Sequence, residues 1–413
     1  MGNPDIELMA PAGSFAALSA ALNAGADSIY FGVEQLNMRS RAAKRFTIDD
    51  IPRIVRQCRD HDARSYLTVN TIIYDHELPQ MRAICDAARE VGISAVIAAD
   101  ISAIRYARKI GLPVHISTQA NVSNIEAVRF YAAYADAVVL ARELTLEQIR
   151  GICGTIEEQD ICGPSGDPVR VEVFIHGALC VSISGKCYMS LALNGHSANR
   201  GDCLQNCRRS YTVRDTETGQ ELAIDNEYVM SPADLCTVTM LDRLVEAGPS
   251  IFKIEGRGRA ADYVQKVTSV YRKALDAVLD GSYTPENAGK WEAELATVFN
   301  RRFWKNGYYM GKPLGEWSAS YGSRSTQRKV YVGTVINYFK KAGIAEIHIL
   351  DESISPDDTL LFVGKTTGCV ETLVTSLHVD EQAVISAKKG DRATVPVERL
   401  VRRNDKVYIL RKR

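Results

Sequence analysis

The stretch IELMAPAGSFAALSAALNAGADSIYFGV, residues 6–33, contains a strand, a helix and a second strand, joined by turns. Its two ends are short apolar runs, and the segment between them, Ser14 to Asn23, has apolar residues at three- and four-residue spacing. Such an alternation is typical of a βα unit, in which a helix follows a strand and packs on the sheet. The fold therefore depends on how often this unit recurs.

The same unit recurs through the first 280 residues or so. Eight apolar runs rich in β-branched residues are each followed by a helix-like segment, and they lie at Ile6 to Met9, Ser28 to Val33, Ser65 to Val69, Ala95 to Ala99, Val114 to Ser117, Ala137 to Leu140, Val169 to Ile175 and Ile251 to Ile254. Eight strands with eight helices in about 250 residues predict an α/β domain of the TIM-like (β/α)8 barrel type. We place it at residues 1–282. An open, doubly wound sheet is the competing topology.

Two segments break this pattern. An insertion after the seventh strand, about 177–230, is rich in Gly, Asn, Arg and Cys, and such an insertion emerges on the face where TIM barrels build active sites. A connector at 283–328 has a helical pattern from Glu286 to Phe303. Residues 329–413 then alternate apolar and polar residues in six short runs. We expect a small, separate C-terminal β-barrel there.

Composition excludes several classes of protein. The chain has 413 residues, with 50 Lys and Arg against 50 Asp and Glu and 46% hydrophobic residues, which is too balanced and too apolar for a disordered chain. It has no apolar run of about 18 residues that would span a bilayer, and its first residues lack the features of a signal peptide. We expect a soluble, cytoplasmic protein. Zero net charge gives no global argument for a nucleic-acid partner, which must be argued from local patches.

Four of the ten cysteines are concentrated in the insertion. Cys180, Cys187, Cys203 and Cys207 have the spacing C-x6-C-x15-C-x3-C, whereas the other six are dispersed and are expected to be inert structural thiols. Four thiolates from one irregular loop match the ligand set of zinc or of an iron–sulfur cluster. Zinc sites usually have two close cysteine pairs, and this loop has one. The spacing of the cysteines alone does not distinguish a zinc site from an iron–sulfur cluster.

The nineteen residues EVFIHGALCVSISGKCYMS, from Glu172 to Ser190, resemble the complete signature of peptidase family U32. Further similar pieces extend over most of the chain: Glu7 to Gly13, Gly25 to Gly32, Gln119 to Asn121, Arg142 to Leu144, Lys253 to Arg257 and Asn300 to Trp304. Despite the family name, the resemblance implies an O2-independent hydroxylase. It also implies that Cys180, Cys187, Cys203 and Cys207 hold a 4Fe-4S cluster and not zinc.

The pair Cys203-Leu-Gln-Asn-Cys207 and the C-terminal β module are similar to the tRNA hydroxylation protein P branch of this family. That similarity implies a tRNA substrate, 5-hydroxyuridine at the wobble position as product, and prephenate as the oxygen donor. Hydroxylation of ribosomal RNA cytidine or of a quinone precursor is the alternative within the family. A collagenase-like peptidase and a noncatalytic RNA-binding scaffold are alternatives of other classes, but the sequence has no H-E-x-x-H or G-x-S-x-G motif.

Polar residues at or just beyond the ends of the predicted strands are candidates for the mouth of the barrel. As catalytic residues we predict His176, Asn70, Asp100, Gln119, Glu143 and Glu255. A strand cap or an internal salt bridge is the alternative for each, and His176 alternatively closes the seventh strand. Guanidinium groups pair bidentately with carboxylates. As the binding residues for a dicarboxylate such as prephenate we predict Arg39, Arg41, Arg142, Arg257 and Arg259.

Two basic stretches are candidate RNA contacts. Arg200, Arg208, Arg209 and Arg214 flank the cysteines, and the segment from Arg399 to Arg413 has seven cations against Asp405. Together with nearby aromatic residues such as Tyr408, these would contact phosphates and stack on bases. A solvated charged tail is the alternative for the second stretch.

Overall fold

The computed structural model describes residues 6–38, 46–212, 214–221, 230–305, 309, 311, 317–318 and 322–413. Within these residues the first sheet has ten strands: β1 Glu7–Pro11, β2 Ser28–Phe31, β3 Arg64–Val69, β4 Ala95–Ala98, β5 Val114–Ile116, β6 Ala137–Val139, β7 Arg170–Gly177, β8 Asp234–Cys236, β9 Ile251–Ile254 and β10 Phe303–Lys305. β1 to β7 are parallel neighbours in chain order, and β9 pairs in parallel with both β7 and β1. The eight strands therefore form a closed barrel. The TIM-like prediction is confirmed, and the open sheet is excluded.

Helices cover the outside of the barrel. They are α1 Phe15–Asn23, α2 Ile51–Arg59, α3 Leu78–Glu90, α4 Ile101–Lys109, α5 Ile125–Ala132, α6 Leu146–Glu158, α7 Met189–Asn194, α8 Leu241–Glu246, α9 Ala261–Leu279 and α10 Pro285–Leu295. α1 to α6, α8 and α9 alternate with the barrel strands, and their apolar faces pack on the sheet in one large core. α1 begins where its spacing predicts, because the Ser14 hydroxyl accepts a hydrogen bond from the Ala17 amide at 3.2 Å.

The barrel interior contains both apolar and charged side chains. Met9, Tyr30, Tyr66 and Ile97 belong to its small apolar cluster. Lys253 on β9 pairs in register with Met9 on β1 and with Phe174 on β7. The ladder of β7 and β9 is irregular between Phe174 and His176. Such an irregularity changes the face to which the following side chain points.

The predicted insertion after the seventh strand is present. β7 continues past the barrel, where His176 and Gly177 pair with the antiparallel β8, and β10 pairs with β8. The residues between β7 and β8 include α7 and lie over the carboxyl ends of the strands. There the Ile72 amide donates to the Asn199 carbonyl at 3.3 Å. Residues 213 and 222–229 lie outside the described residues.

The helix predicted from Glu286 to Phe303 is shorter in the structure, where α10 ends at Leu295. Arg302 has a φ of 63°, in the left-handed region, which a helix does not continue through. The next residues form β10, and its Trp304 is buried. The end of the predicted helix therefore forms a strand, because it pairs with β8 in the folded protein.

The C-terminal module is all-β, as predicted, but it has eight strands where the sequence showed six apolar runs. They are β11 Gln327–Phe339, β12 Ile344–Ile349, β13 Thr359–Gly364, β14 Gly368–Leu373, β15 His378–Val379, β16 Gln382–Ala383, β17 Arg392–Pro396 and β18 Lys406–Lys412. They form an antiparallel sheet in the order β14-β13-β18-β11-β12-β17-β15-β16. The sheet encloses its own core, which includes Val335, Phe362 and Ile409. The second half of the basic stretch at Arg399 to Arg413 is strand β18, and Arg411 pairs with Asp358.

This module packs on the outside of the barrel. Leu361 and Cys369 form an apolar cluster with Ala20 of α1 and Ala261 of α9. The Ser19 hydroxyl donates to the Lys365 carbonyl at 2.9 Å. None of the helices among the described residues has the length and apolar content needed to cross a membrane.

Candidate functional site

A cavity of about 400 Å³ opens at the carboxyl ends of the barrel strands. Its wall is formed by strand-end side chains, by the loop after β9 and by residues 178–208 of the insertion. A volume of this size accommodates a small molecule or a single base. Six of its lining side chains are cationic, Arg142, Arg208, Lys253, Arg257, Arg259 and Arg301, and one, Glu255, is a carboxylate.

One side of the cavity has a hydrogen-bonded amide pair. Asn70, at the end of β3, donates from Nδ2 to the Gln119 amide oxygen at 3.1 Å and to the Ser117 hydroxyl at 3.2 Å. Gly185 of the insertion contacts Gln119 so closely that a Cβ there would lie 2.8 Å from Gln119 Cγ. The structure thus brings the predicted residues Asn70 and Gln119 together, beneath the cysteine-containing loop.

Glu255 and Arg257 follow β9 and also line the cavity. The Tyr30 hydroxyl contacts Glu255 Oε2 at 3.3 Å. The Arg257 guanidinium donates to the Thr68 hydroxyl at 2.6 Å and to the Asn37 amide oxygen at 3.1 Å. These contacts hold the Arg257 side chain, which is 7% exposed.

Arg142 and Arg259 line the cavity without an ion pair to any described residue. Arg142 donates to the Ala178 carbonyl at 3.1 Å and lies over the Phe174 ring at 4.2 Å, and its buried Nε has no hydrogen-bond partner. The Arg259 guanidinium lies 3.6 Å from the centre of the Phe299 ring. Burial lowers the pKa of Arg259. Two unpaired guanidinium groups favour an anionic ligand in this cavity.

Arg208 and Arg301 were not predicted as residues of this cavity. Arg208 donates to the carbonyls of Leu179 and Pro232, both at 2.5 Å. These bonds connect the beginning and the end of the segment between β7 and β8. Arg301 lies 3.6 Å from Asp234. Arg39 and Arg41, which were predicted to bind the carboxylates, lie outside the described residues.

Cys180, Cys187, Cys203 and Cys207 all line this cavity. Burial raises the pKa of the Cys207 thiol to about 11. The positive charge of Arg208 lowers this pKa, and the other three thiols raise it slightly. Within the part of the chain that is described, no three His, Cys, Asp or Glu side chains stand in a geometry that would hold a metal ion. The donor set suits a soft metal, but the thiols are not drawn together.

The other six cysteines do not line the cavity. Cys58, Cys85, Cys236 and Cys369 are buried, and Cys153 and Cys162 are half-buried. Burial raises the pKa of the Cys58, Cys85, Cys153 and Cys236 thiols to about 12. These thiols are protonated at neutral pH, which agrees with the structural role expected for them.

Three predicted catalytic residues lie outside the cavity lining. His176 is buried, with its ring centre 5.5 Å from that of Tyr271 and 5.7 Å from that of Phe303, because the irregularity in β7 directs it away from the barrel interior. Asp100 caps α4 by accepting from the Ser102 amide at 2.9 Å. Glu143 is exposed. In this structure His176 closes the seventh strand and Asp100 caps a helix, which are the alternatives given for them above.

Burial lowers the pKa of His176 to about 3, with a smaller effect from the charge of Arg259. The imidazole is therefore neutral at physiological pH. Its Nδ1 lies 3.3 Å from the Tyr271 hydroxyl.

The sequence reasoning missed Lys253, which lines the cavity. Its ammonium donates to Glu172 at 2.5 Å, and both side chains are buried in the barrel interior. A signal was present, since Lys253 and Glu172 are charged residues inside otherwise apolar strands. Charged residues are rarely buried without a partner, so each of the two charges indicated that a partner exists, although only the neighbouring positions of β7 and β9 identify it.

Comparisons with known proteins agree on one family. The model of peptidase family U32 matches residues 13–319. A protein named collagenase from Porphyromonas gingivalis is 50% identical over 99% of this chain and 99% of its own length. The tRNA hydroxylation protein P1 of Bacillus subtilis is 32% identical over 80% of this chain and 77% of its own length. A 23S rRNA 5-hydroxycytidine synthase of Escherichia coli is 35% identical over 70% of this chain and 42% of its own length.

Proposed function

This chain belongs to peptidase family U32, and we propose that it is an RNA hydroxylase of that family. The observation that carries the proposal is a cavity in which six cationic side chains and four thiols surround space for one small molecule or base. The relatives named for tRNA and ribosomal RNA hydroxylation support an RNA substrate. The finer proposal is that the product is 5-hydroxyuridine at the tRNA wobble position, with prephenate as the oxygen donor.

We propose that Cys180, Cys187, Cys203 and Cys207 hold a 4Fe-4S cluster. Four thiols on one cavity wall supply the donor chemistry that such a cluster requires, although their positions would have to converge to bind it. A bound cluster would supply electron transfer at the edge of the cavity. With four cysteine ligands the loop from residue 180 to 207 would also be fixed above the substrate.

The arginines account for the binding of a dicarboxylate. Arg142 and Arg259 have no ion-pair partner among the described residues, so a ligand carboxylate would relieve an electrostatic cost and gain paired hydrogen bonds. Lys253 adds a positive charge to the lining of the cavity, but Glu172 already balances this charge. The neighbouring Asn70 and Gln119 offer amide donors and acceptors, which suit the polar edge of a pyrimidine.

A base reaches this cavity only after it has left its stack, because the cavity is too small for a helix. A tRNA anticodon loop presents unpaired bases, so the cost of extruding one is small. The amide pair would orient the base, and the insertion would limit the access of water. Hydroxylation of ribosomal RNA cytidine or of a quinone precursor is the alternative for the substrate.

A peptidase is the competing class, because relatives that match the full chain are named collagenase. Peptidases with a serine or cysteine nucleophile most often activate it with a histidine within hydrogen-bond reach. No histidine is among the residues that line the cavity in the described structure, and His176 is buried away from it. The geometry therefore favours the hydroxylase.

The test combines metal analysis with nucleoside analysis. The protein is purified without oxygen and assayed for iron and acid-labile sulfide, and tRNA nucleosides from cells with and without the gene are compared by mass spectrometry. We expect iron and sulfide in the wild type, their loss in Cys203→Ser, and their retention in Cys153→Ser. 5-Hydroxyuridine that does not depend on the gene would refute the tRNA substrate. A protein that contains only zinc would refute the cluster, and gelatin cleavage by the wild type would favour the peptidase.

A further inference from the structure

The outer surface of the insertion exposes large apolar side chains. Of the fourteen large hydrophobic residues that are exposed among the described residues, four lie within eleven positions of this loop, and we call them the apolar cap: Ile183, Tyr188, Leu191 and Leu193. Tyr188 is 68% exposed and Leu193 is 60% exposed. Leaving such groups in water costs free energy, and concentrated exposure of this kind marks an interaction surface.

The apolar cap adjoins residues that line the cavity. Ser184, Gly185 and Cys187 line the cavity, so Ile183 and Tyr188 flank the residues that form its wall. Asn121 fixes this part of the loop by donating to the Ser184 carbonyl at 3.4 Å. A ligand that bridges the cavity and the outside therefore passes the cap.

A neighbouring loop, after β3, extends the apolar surface. Ile72 and Tyr74 are 46% and 50% exposed. The Ile72 amide is bonded to Asn199 of the insertion at 3.3 Å. The Arg200 guanidinium lies over the Tyr74 ring at 3.9 Å. The two loops therefore form one surface beside the cavity lining.

The insertion carries more cations than carboxylates, although Arg200 is balanced by Glu77 of the loop after β3. Residues 177–212 contain Lys186, Arg200, Arg208 and Arg209 but only one acidic residue, Asp202, and that carboxylate pairs with His196. Lys186 and Arg209 are exposed and have no ion-pair partner among the described residues. Exposed apolar and aromatic side chains beside unpaired cations match a single-stranded nucleic acid, which offers base faces and phosphates.

We infer that the apolar cap is the stacking surface for the nucleotides adjacent to the target base in an RNA loop. A base that enters the cavity leaves its neighbours without a stacking partner, and apolar side chains replace that contact. Tyr188 stacks on a flanking base, Leu193 covers the next, and Lys186 and Arg209 contact their phosphates. This inference rests on the proposed RNA substrate, and it adds the surface that holds the strand.

The test measures the affinity of the anaerobically purified full-length protein for a fluorescent 17-nucleotide RNA stem-loop that has uridine in its loop. Stacking contributes enough that we expect Tyr188→Ala and Leu193→Ser to weaken binding about five- to one-hundred-fold. Tyr188→Phe keeps the ring and binds as the wild type does. Ile385→Ser is the matched control, because Ile385 is 89% exposed and lies in the C-terminal module.

Charge gives a second, independent measurement. Lys186→Gln and Arg209→Gln should each lower the slope of log affinity against log salt concentration by about one, since each removes one phosphate contact. Ile385→Ser should leave this slope unchanged.

Two results would overturn the inference while leaving the RNA substrate intact. The first is wild-type affinity in both Tyr188→Ala and Leu193→Ser. The second is a cap variant that changes the sedimenting mass at unchanged RNA affinity, which would assign the cap to a second copy of this chain. If the wild-type protein neither binds the stem-loop nor produces 5-hydroxyuridine, the proposed function fails and the inference fails with it.

Discussion

The Lys253 ammonium lies 2.5 Å from a carboxylate oxygen of Glu172 inside the barrel, where the two side chains are 5% and 0% exposed. His115 lies 3.5 Å from the other carboxylate oxygen, and the ammonium is 4.4 Å from the centre of the Tyr30 ring. Burial alone would raise the pKa of Glu172, but Lys253 and His115 outweigh it and hold this pKa below its ordinary value. Lys253 thus reaches the cavity lining with its charge balanced by a carboxylate buried behind it.

Breaking this pair should destabilise the protein strongly. Glu172→Gln leaves the buried Lys253 ammonium without a counter-charge, and we expect a loss of about 3–5 kcal/mol in the free energy of unfolding. The double variant Glu172→Gln with Lys253→Met removes both charges and should recover much of that loss. Urea denaturation measures both. A double variant that is no more stable than Glu172→Gln would show that the charge is not the cause.

Acid should destabilise the protein through His176. Because the folded pKa of about 3 lies below the ordinary histidine pKa of 6.5, the unfolded chain binds a proton more readily. Stability is therefore full above pH 6.5 and falls as the pH drops toward 3. The slope approaches about 1.4 kcal/mol per pH unit. His176→Phe should flatten this part of a stability profile measured by urea denaturation. His61→Gln, at an exposed site, should follow the wild type, and an equally flat profile in that variant would contradict the assignment.

The two unpaired arginines should determine dicarboxylate affinity. Arg142→Gln and Arg259→Gln each remove one charge-assisted contact, worth about 1.5–3 kcal/mol, which corresponds to about ten- to one-hundred-fold in the dissociation constant for prephenate. Isothermal titration calorimetry on the metal-loaded protein gives this constant. Arg150→Gln, on the exposed face of α6, is the control. Unchanged affinity in both cavity variants would place the carboxylates elsewhere.

The contact between the barrel and the C-terminal module should depend on Gly368. Gly368 has a φ of 70°, and a Cβ there would lie 2.8 Å from the Ala20 amide nitrogen of α1. Gly368→Ala therefore adds a clash at the interface to a backbone strain of about 1–3 kcal/mol.

Gly390→Ala separates these two effects, because Gly390 also has a positive φ of 98° but has open space around its Cβ position. Limited proteolysis should separate the C-terminal module from the barrel faster in Gly368→Ala than in Gly390→Ala. Equal rates in the two variants would mean that strain alone acts and that the interface is unaffected.

Local periodicity and composition predicted much of this protein. Eight apolar runs became the eight barrel strands, and the change to two-residue alternation after Lys329 marked the all-β module. Both signals are short-range, because a strand or a helix must present an apolar face at its own repeat wherever it lies in the chain. The grouping of four cysteines in one insertion was visible for the same reason. Asn70, Gln119, Glu255 and three of the cavity arginines, Arg142, Arg257 and Arg259, were also predicted, because the carboxyl end of a strand is known once the strand is known.

Other features were decided only by the tertiary structure. Strict alternation along β7 would direct His176 inward like Glu172 and Phe174, but the irregularity opposite β9 turns it into the aromatic contacts of α9 and β10. β10 became a strand because β8 supplies its hydrogen bonds. The pairing of Lys253 with Glu172 requires β7 and β9 to be neighbours, although 81 positions separate the two residues. The sequence alone determined the eight barrel strands and some of the residues that reach the mouth, among them Asn70, Gln119 and Glu255. It did not determine β10, and it did not exclude His176, Asp100 and Glu143 from the cavity lining. The closed barrel decided which side chains meet, because register, strand irregularities and contacts between distant segments arise only when the chain packs against itself.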